Sequence, residues 1–294
     1  MSSQKTTSNK AKEIDTFGGQ AVIEGVMMRN KTHYAIACRT PQGKIVVQKK
    51  EIHSLAKKHS FLAKPFLRGA LGIFEMMVLG LRAITYSANV QATKKEEKLS
   101  TKEITGTMIS AFLIAIALFV IAPYFLTGIF IEERGIFFNL IDGIIRLVFF
   151  LVYLLGISFM KEVQRLFQYH GAEHMTVYCV EAKKKLNVQN VSQFRPEHPR
   201  CGTSFLVIVL CLSILIFSLI KTPLWYLNIP LRILFVPVIA GVGYEVLKFS
   251  AKHQQKWWLR WITFPGLWVQ KITTKKPDKK QMEVAIAAIS ALLK

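Results

Sequence analysis

The sequence predicts a mainly α membrane protein: four transmembrane helices in two hairpins, joined to a small cytosolic α+β region and interfacial helices. Three observations carry that reading. Four segments, roughly 107–130, 136–160, 203–220 and 229–248, each hold about 20 predominantly apolar residues, enough for a helix to cross a hydrocarbon core. Short links, "EERG" at 132–135 and "KTPLWYLN" at 221–228, join them in pairs as tight hairpins. The cations are asymmetric: residues 1–105 carry 18 Lys+Arg against 8 acids, 161–202 carry 7 and 249–294 carry 9, whereas the hairpin links hold only Arg134 and Lys221. Cationic flanking segments stay on the cytoplasmic side. Both termini and the 161–202 loop are therefore expected in the cytosol. This distribution accounts for much of the net charge of +21, so no specific nucleic-acid partner is predicted.

Taken in order, residues 1–14 read as a polar, disordered tail, and the first hundred residues hold no run resembling a signal peptide. Residues 15–64 are β-rich. "GGQAVIEGVMMR" reads as a strand entered through a glycine pair, and "HYAIACRTPQGKIVVQKKEI" as a hairpin around a Pro-Gly turn. Residues 65–105 hold an apolar helix at 65–85 and a linker. Arg68, Glu75 and Arg82 repeat there every seven residues on one stripe, which suits a helix lying in the membrane interface. The first hairpin fills 106–160, a cytosolic helix and loop 161–202, and the second hairpin 203–248. Within the first, Asp142 and Arg146 are spaced to neutralise each other. In 249–294, "KWWLRWITFPGLWVQK" sets four of the five tryptophans among cations, the mark of an interfacial belt. "PDKKQMEVAIAAISALL" follows as a helix capped by Asp278, with Met282, Ile286 and Ile289 on one face. The cysteines (Cys38, Cys179, Cys201, Cys211) lack framework spacing and read as reduced.

The chemistry-bearing stretch is "FQYHGAEHMTVY". His170 and His174 are i,i+4 and share a helix face, as paired zinc ligands require. Glu173 stands where the H-x-x-E-H motif of inverted zincins puts its general base. The alternative is a polar turn of an ordinary helix. A second cluster, "RPEHPRCGTSF", offers His198 and Cys201 as further ligands, or is a proline-rich turn with an incidental thiol. Glu245, near the cytosolic end of the fourth span, competes with His198 for the third ligand position, with a salt bridge to Lys248 or Arg68 as its other reading. His170 lies ten residues past the second span, so a bend near Gly171 or docking of the loop is needed to return it to the membrane surface. Glu24 and Arg29 either line a site or form a strand charge pair. No Walker A, Rossmann or serine-elbow pattern occurs.

With "GGQAVIEGVMMR", "YHGAEH", "HPRCGTSF" and "TTKKPDKKQMEVAIAA" in place, the chain resembles the YqhQ family of bacterial membrane proteins over about residues 15–294. The resemblance implies an inner-membrane protein with a predicted metal dependence, carried by His170, Glu173, His174, His198 and Cys201. It implies no particular reaction. The expectation is a juxtamembrane divalent-metal site, zinc first, in a hydrolase acting on a membrane-anchored peptide or lipid at the bilayer surface. The alternative is a non-catalytic adaptor whose basic cytosolic face binds a membrane-protein biogenesis or ribosomal partner.

Overall fold

In the computed structural model, residues 17–55, 61, 64–93, 100–133, 135–219, 224–252 and 256–293 are described; the polar tail at 1–14 lies outside them. Four antiparallel strands come first, β1 (Gly18–Val22), β2 (Gly25–Arg29), β3 (His33–Arg39) and β4 (Ile45–Glu51), in the order β1-β2-β3-β4. The β3–β4 hairpin is the one expected; Gly43, at φ +85°, supplies the left-handed position of its turn. "GGQAVIEGVMMR" forms two strands where one was expected. Val22 pairs with Gly25, and Ile23-Glu24 make the turn, with Glu24 at φ 51°. A non-glycine residue in that region needs outside support. Here Arg39 N–H donates to Glu24 O (2.8 Å) and Arg165 grips the Glu24 carboxylate. Glu24 is thus a structural ion pair, and Arg29 is directed to Met76 Sδ.

Alternation sends the two faces of the sheet to different partners. Val22, Met27, Tyr34, Ile36 and Cys38 pack on Leu79 and Ala83 of α1 (Leu67–Gln91). Val26, Met28, Ala35 and Ala37 pack on α5 (Lys161–Glu181) and α10 (Lys279–Leu293). Asp278 caps α10 reciprocally with Gln281, at 2.7 and 2.9 Å. Its buried face is wider than expected: Val284, Ala285, Ala288 and Leu292 join Met282 and Ile289, while Ile286 is half-buried. One core therefore draws on the N-terminal, central and C-terminal parts of the chain.

The apolar part begins at a capping box, Ser100 with Glu103, that opens α2 (Thr101–Ile116). A π-helical turn, Ala117–Ile121, leads into α3 (Ala122–Phe130). Pro123 has no N–H to continue the α ladder, and the helix widens just before it. Then come α4 (Ile136–Ser158), the short α6 (Val188–Val191), α7 (Gly202–Ser218), α8 (Trp225–Lys252) and α9 (Trp257–Thr273). Among the described residues, three helical stretches are long and apolar enough to cross a membrane: Lys102–Phe130, Ile136–Ser158 and Tyr226–Ser250. The third expected span, 203–220, forms α7, apolar but 17 residues long.

Asp142 and Arg146 do pair (3.0 Å), but Arg232 shares the same carboxylate. Arg232 also donates to Asn139 Oδ1 (2.5 Å) and Asn228 Oδ1 (2.7 Å), with Tyr124 and Phe217 against its guanidinium. All three ionisable side chains are buried. Buried charges persist only when paired and hydrogen-bonded, so this network joins α3, α4, α7 and α8.

Candidate metal centre

Helix α5 presents the motif. His170 and His174 lie one turn apart with ring centroids at 4.4 Å, and Glu173 is buried between helix and sheet. The helix runs straight through Gly171; the chain breaks at Phe159–Met160, before α5 starts. Gly171 serves a close approach instead: a Cβ there would stand 2.2 Å from Lys275 O. That contact lets the chain after α9 cross α5, and Lys275 N–H donates to Phe167 O (3.0 Å). Docking of these segments, with no bend, brings the partners of His170 to it.

The ring tautomers follow from those partners. His170 Nδ1 is 2.8 Å from Thr273 O, and His174 Nδ1 bonds Pro196 O. A carbonyl only accepts, so each Nδ1 carries the proton and each Nε2 is left with its lone pair. Carbonyl partners of this kind orient metal-bound imidazoles. Cys201 caps the N-terminus of α7, its sulfur accepting Thr203 N–H at 3.3 Å and lying 3.2 Å from His170 Nε2. Donor atoms of His170, His174 and Cys201 all fall within 4.8 Å of one another. Zinc bonded at its usual lengths in tetrahedral geometry sets such atoms about 3.4–3.6 Å apart. Two imidazoles and a thiol in this arrangement could hold zinc or another divalent ion.

Around the cluster lies a cavity of about 50 Å³ lined by Gly19, Glu173, His198 and Arg200 among others. A Cβ on Gly19 would stand 2.3 Å from Met27 O and 3.2 Å from Glu173 Cγ, which gives β1 a reason to begin bare. Glu173 Oε2 is 3.3 Å from His174 Nε2. Burial holds the Glu173 carboxyl above its usual range and the His174 imidazole below its own.

His198 is adjacent but differently wired. Its Nδ1 accepts Arg200 N–H (3.2 Å), which leaves Nε2 protonated in the neutral ring. Nε2 has no hydrogen-bond partner among the described residues, although Glu181 Oε2 lies 3.5 Å away and itself pairs with Arg200. Burial pushes the His198 pKa down to about 4. The backbone of His198 is clamped by Gln270, which accepts from its N–H (2.7 Å) and donates to its O (2.9 Å).

Glu245 is not brought to this cluster. Arg68 holds it through two bonds, 2.7 and 2.6 Å, where α1 crosses α8. The structure thus joins His170, His174 and Cys201, sets Glu173 and His198 beside them, and leaves Glu245 to a salt bridge. Thr273, Gln270 and Pro196, which hold the three histidines, were not singled out in the sequence. They act through main-chain carbonyls or an amide side chain and carry no ligand signature.

Fold and site together define a mainly helical protein that has, among the described residues, three helices long and apolar enough to cross a membrane and a sheet-capped His-His-Cys cluster. The family model "Protein of unknown function (DUF1385)" matches residues 64–294. "Uncharacterized protein YqhQ" of Bacillus subtilis (strain 168) is 33% identical over 310 residues, covering 97% of this chain and 95% of its own. The chain belongs to this YqhQ (DUF1385) family. No solved structure matches it.

Proposed function

We propose that the protein is a zinc-dependent hydrolase of the cytoplasmic membrane, with its site on the cytosolic face. The observation that carries this reading is the hydrogen bonding of the three imidazoles. His170 and His174 each offer Nε2 towards Cys201 Sγ, whereas His198 offers a donor. Three protein ligands with a fourth position free is the pattern of catalytic zinc, and a closed set of four that of structural zinc. When bound, zinc supplies Lewis acidity that brings the pKa of water towards about 7. Glu173, which lines the same cavity as the three donors, would be the proton acceptor, since a general base must lie close to the proton it takes. His198 keeps a neutral Nε2–H for an oxygen that gains negative charge. Elemental analysis of the purified protein, beside His170→Ala and Cys201→Ser, is the test: one zinc per chain in the parent and little in the variants is expected, and no metal in the parent would end the reading.

The single core built from the sheet, α5 and α10 supports a topology. Elements that pack together lie on one side of the bilayer, so the chain between each must cross an even number of times. With α8 crossing, α7 must cross as well. Its 17 residues reach about 25 Å, short of an average core of about 30 Å but within what local thinning accommodates. The cationic segments then face the cytosol.

One observation favours a second reading, the adaptor with a structural metal. A cavity of about 50 Å³ has room for little beyond an ion and water, so a substrate would require the site to open. The basic cytosolic face would then dock a biogenesis or ribosomal partner.

A further inference from the structure

Helix α9 shows two faces of opposite character. Trp257, Trp261, Phe264 and Trp268 are spaced 4, 3 and 4 residues apart, which brings them within about 60° of one another around the helix. Their exposures are 72%, 71%, 61% and 53%. On the far side, Thr263, Gly266, Val269, Gln270 and Thr273 are buried. Gly266 lies so close to α7 that a Cβ would meet Ser204 Cα at 2.6 Å, and Val269 packs with Leu154 of α4 and Val207 of α7. Helix α9 therefore lies across the ends of α4 and α7 from which the motif-bearing segments emerge. Its buried face is also a wall of the metal centre: Thr273 O holds His170, and Gln270 holds the backbone of His198.

A continuous ridge of three indoles and a phenyl ring, flanked by exposed Lys256 and Lys271, matches the lipid headgroup boundary, where amphipathic rings and cations concentrate. The helices that α9 packs against carry exposed apolar side chains of their own, such as Leu155 on α4 and Leu206 on α7. We propose that α9 is seated in the cytoplasmic lipid–water boundary with this ridge in the upper acyl layer, and that the seat holds the His170–His174–Cys201 cluster at the leaflet. Its consequence for substrate rests on the hydrolase reading: the site would take an amphipathic molecule already resident in that leaflet.

The test uses full-length protein in bilayers, with Trp225→Phe and Trp258→Phe so that Trp257, Trp261 and Trp268 report. Exchanging phosphatidylcholine for the same lipid brominated in the upper acyl chain should remove about half or more of the tryptophan emission, since such helices bury their apolar face about 5–10 Å deep. The unsubstituted protein should lose emission in the same direction. Equal emission in both lipids overturns the seat, and disulfide cross-linking between two copies carrying Trp261→Cys would then identify a second copy as what covers the ridge. For the link to the site, the triple variant Trp257→Ser, Trp261→Ser, Phe264→Ser should lose zinc to a chelator about 10-fold faster than the parent, the scale of a lost outer support. Unchanged zinc loss would overturn the link. Quenching in a protein that holds no zinc would uphold the seat and sink the metal reading alone.

Discussion

His170 and Cys201 meet Nε2 to Sγ at 3.2 Å across 31 residues of chain. Nothing local brings them together. The first sits in mid-helix on α5, the second caps α7, and the carbonyl of Thr273 fixes the ring that joins them. If that meeting is a metal centre, removing a donor should do more than removing a neighbour. His170→Ala, His174→Ala and Cys201→Ser should each weaken zinc binding by more than about 100-fold, beyond the range found for outer supports. His198→Ala and Glu245→Ala should stay within about 10-fold of the parent. Zinc retained in all three donor variants, or lost equally in all five, would refute the assignment; chelator competition reads the difference.

How much of this was legible in the sequence depends on the range of the interaction. The apolar helices, the β3–β4 hairpin and the Asp278 cap follow from short-range patterns, and all three appear where expected. The pairing of His170 with His174 is also local, one helical turn. Cys201 could be named as a candidate by its residue type and its place before an apolar run. The β1–β2 turn carried no Asn-Gly or Asp-Gly signal, because Glu24 is held at φ 51° by Arg165 and Arg39, 141 and 15 residues away. The placement of His198 and of Glu245 was likewise tertiary. It turns on an Arg200 N–H bonded to one ring nitrogen and on the approach of Arg68 to Glu245, which spacing does not encode.

Arg232 is the other residue whose role only the packing reveals, and it yields a stability ordering. Asp142 accepts from both Arg146 and Arg232. Asp142→Ala would leave two buried arginines without a counter-charge and should destabilise the protein by about 3–5 kcal/mol or abolish its accumulation. Arg146→Met keeps the Asp142–Arg232 pair and should be clearly milder. Thermal unfolding of the detergent-solubilised variants checks this, and the reverse order would show that the carboxylate is not shared.

Cys38 gives a pH-dependent readout of the sheet. Burial, with Glu24 nearby, pushes its pKa up to about 12 from 9.0. The folded state therefore holds the proton more tightly than the unfolded state. The stability that follows is complete below pH 9 and is lost as pH rises towards 12. At pH 8.5 the folded thiol should alkylate at least about 100-fold more slowly than the same cysteine in denaturant, because the thiolate is the nucleophile. Peptide mass spectrometry after a timed iodoacetamide pulse measures it. Equal rates in folded and denatured protein would mean that the β3 face is not closed by α1.

Topology can be tested independently of the metal. One core shared by the sheet, α5 and α10 requires their segments to lie on the same side, so reporter fusions at positions 133 and 225 should both read as external while position 174 reads as cytosolic. A cytosolic readout at 225 would mean that α7 does not cross. Residues 202–252 would then make an odd number of crossings, and α10 could not reach α5.

Glu173 separates the enzyme from the adaptor. Its carboxylate is buried, 3.3 Å from His174 Nε2, and lines the same small cavity as His198 and Cys201. Glu173→Gln keeps the volume and a hydrogen-bonding oxygen but cannot take a proton at neutral pH. In the hydrolase this variant should fold, hold zinc as the parent does and fail to restore a deletion strain, as expected of a general-base loss of about 10²–10⁴-fold in rate. In the adaptor the metal only pins the 195–201 segment against α5, so Glu173→Gln should restore the strain while Cys201→Ser should not. His198→Ala adds a second axis. Without its Nε2–H the hydrolase should be slowed with zinc unchanged, whereas the adaptor should respond only to the extent that the clamp with Gln270 loosens, which Gln270→Ala reproduces. A zinc-replete Glu173→Gln protein that fully restores the strain would leave the adaptor as the function of this site.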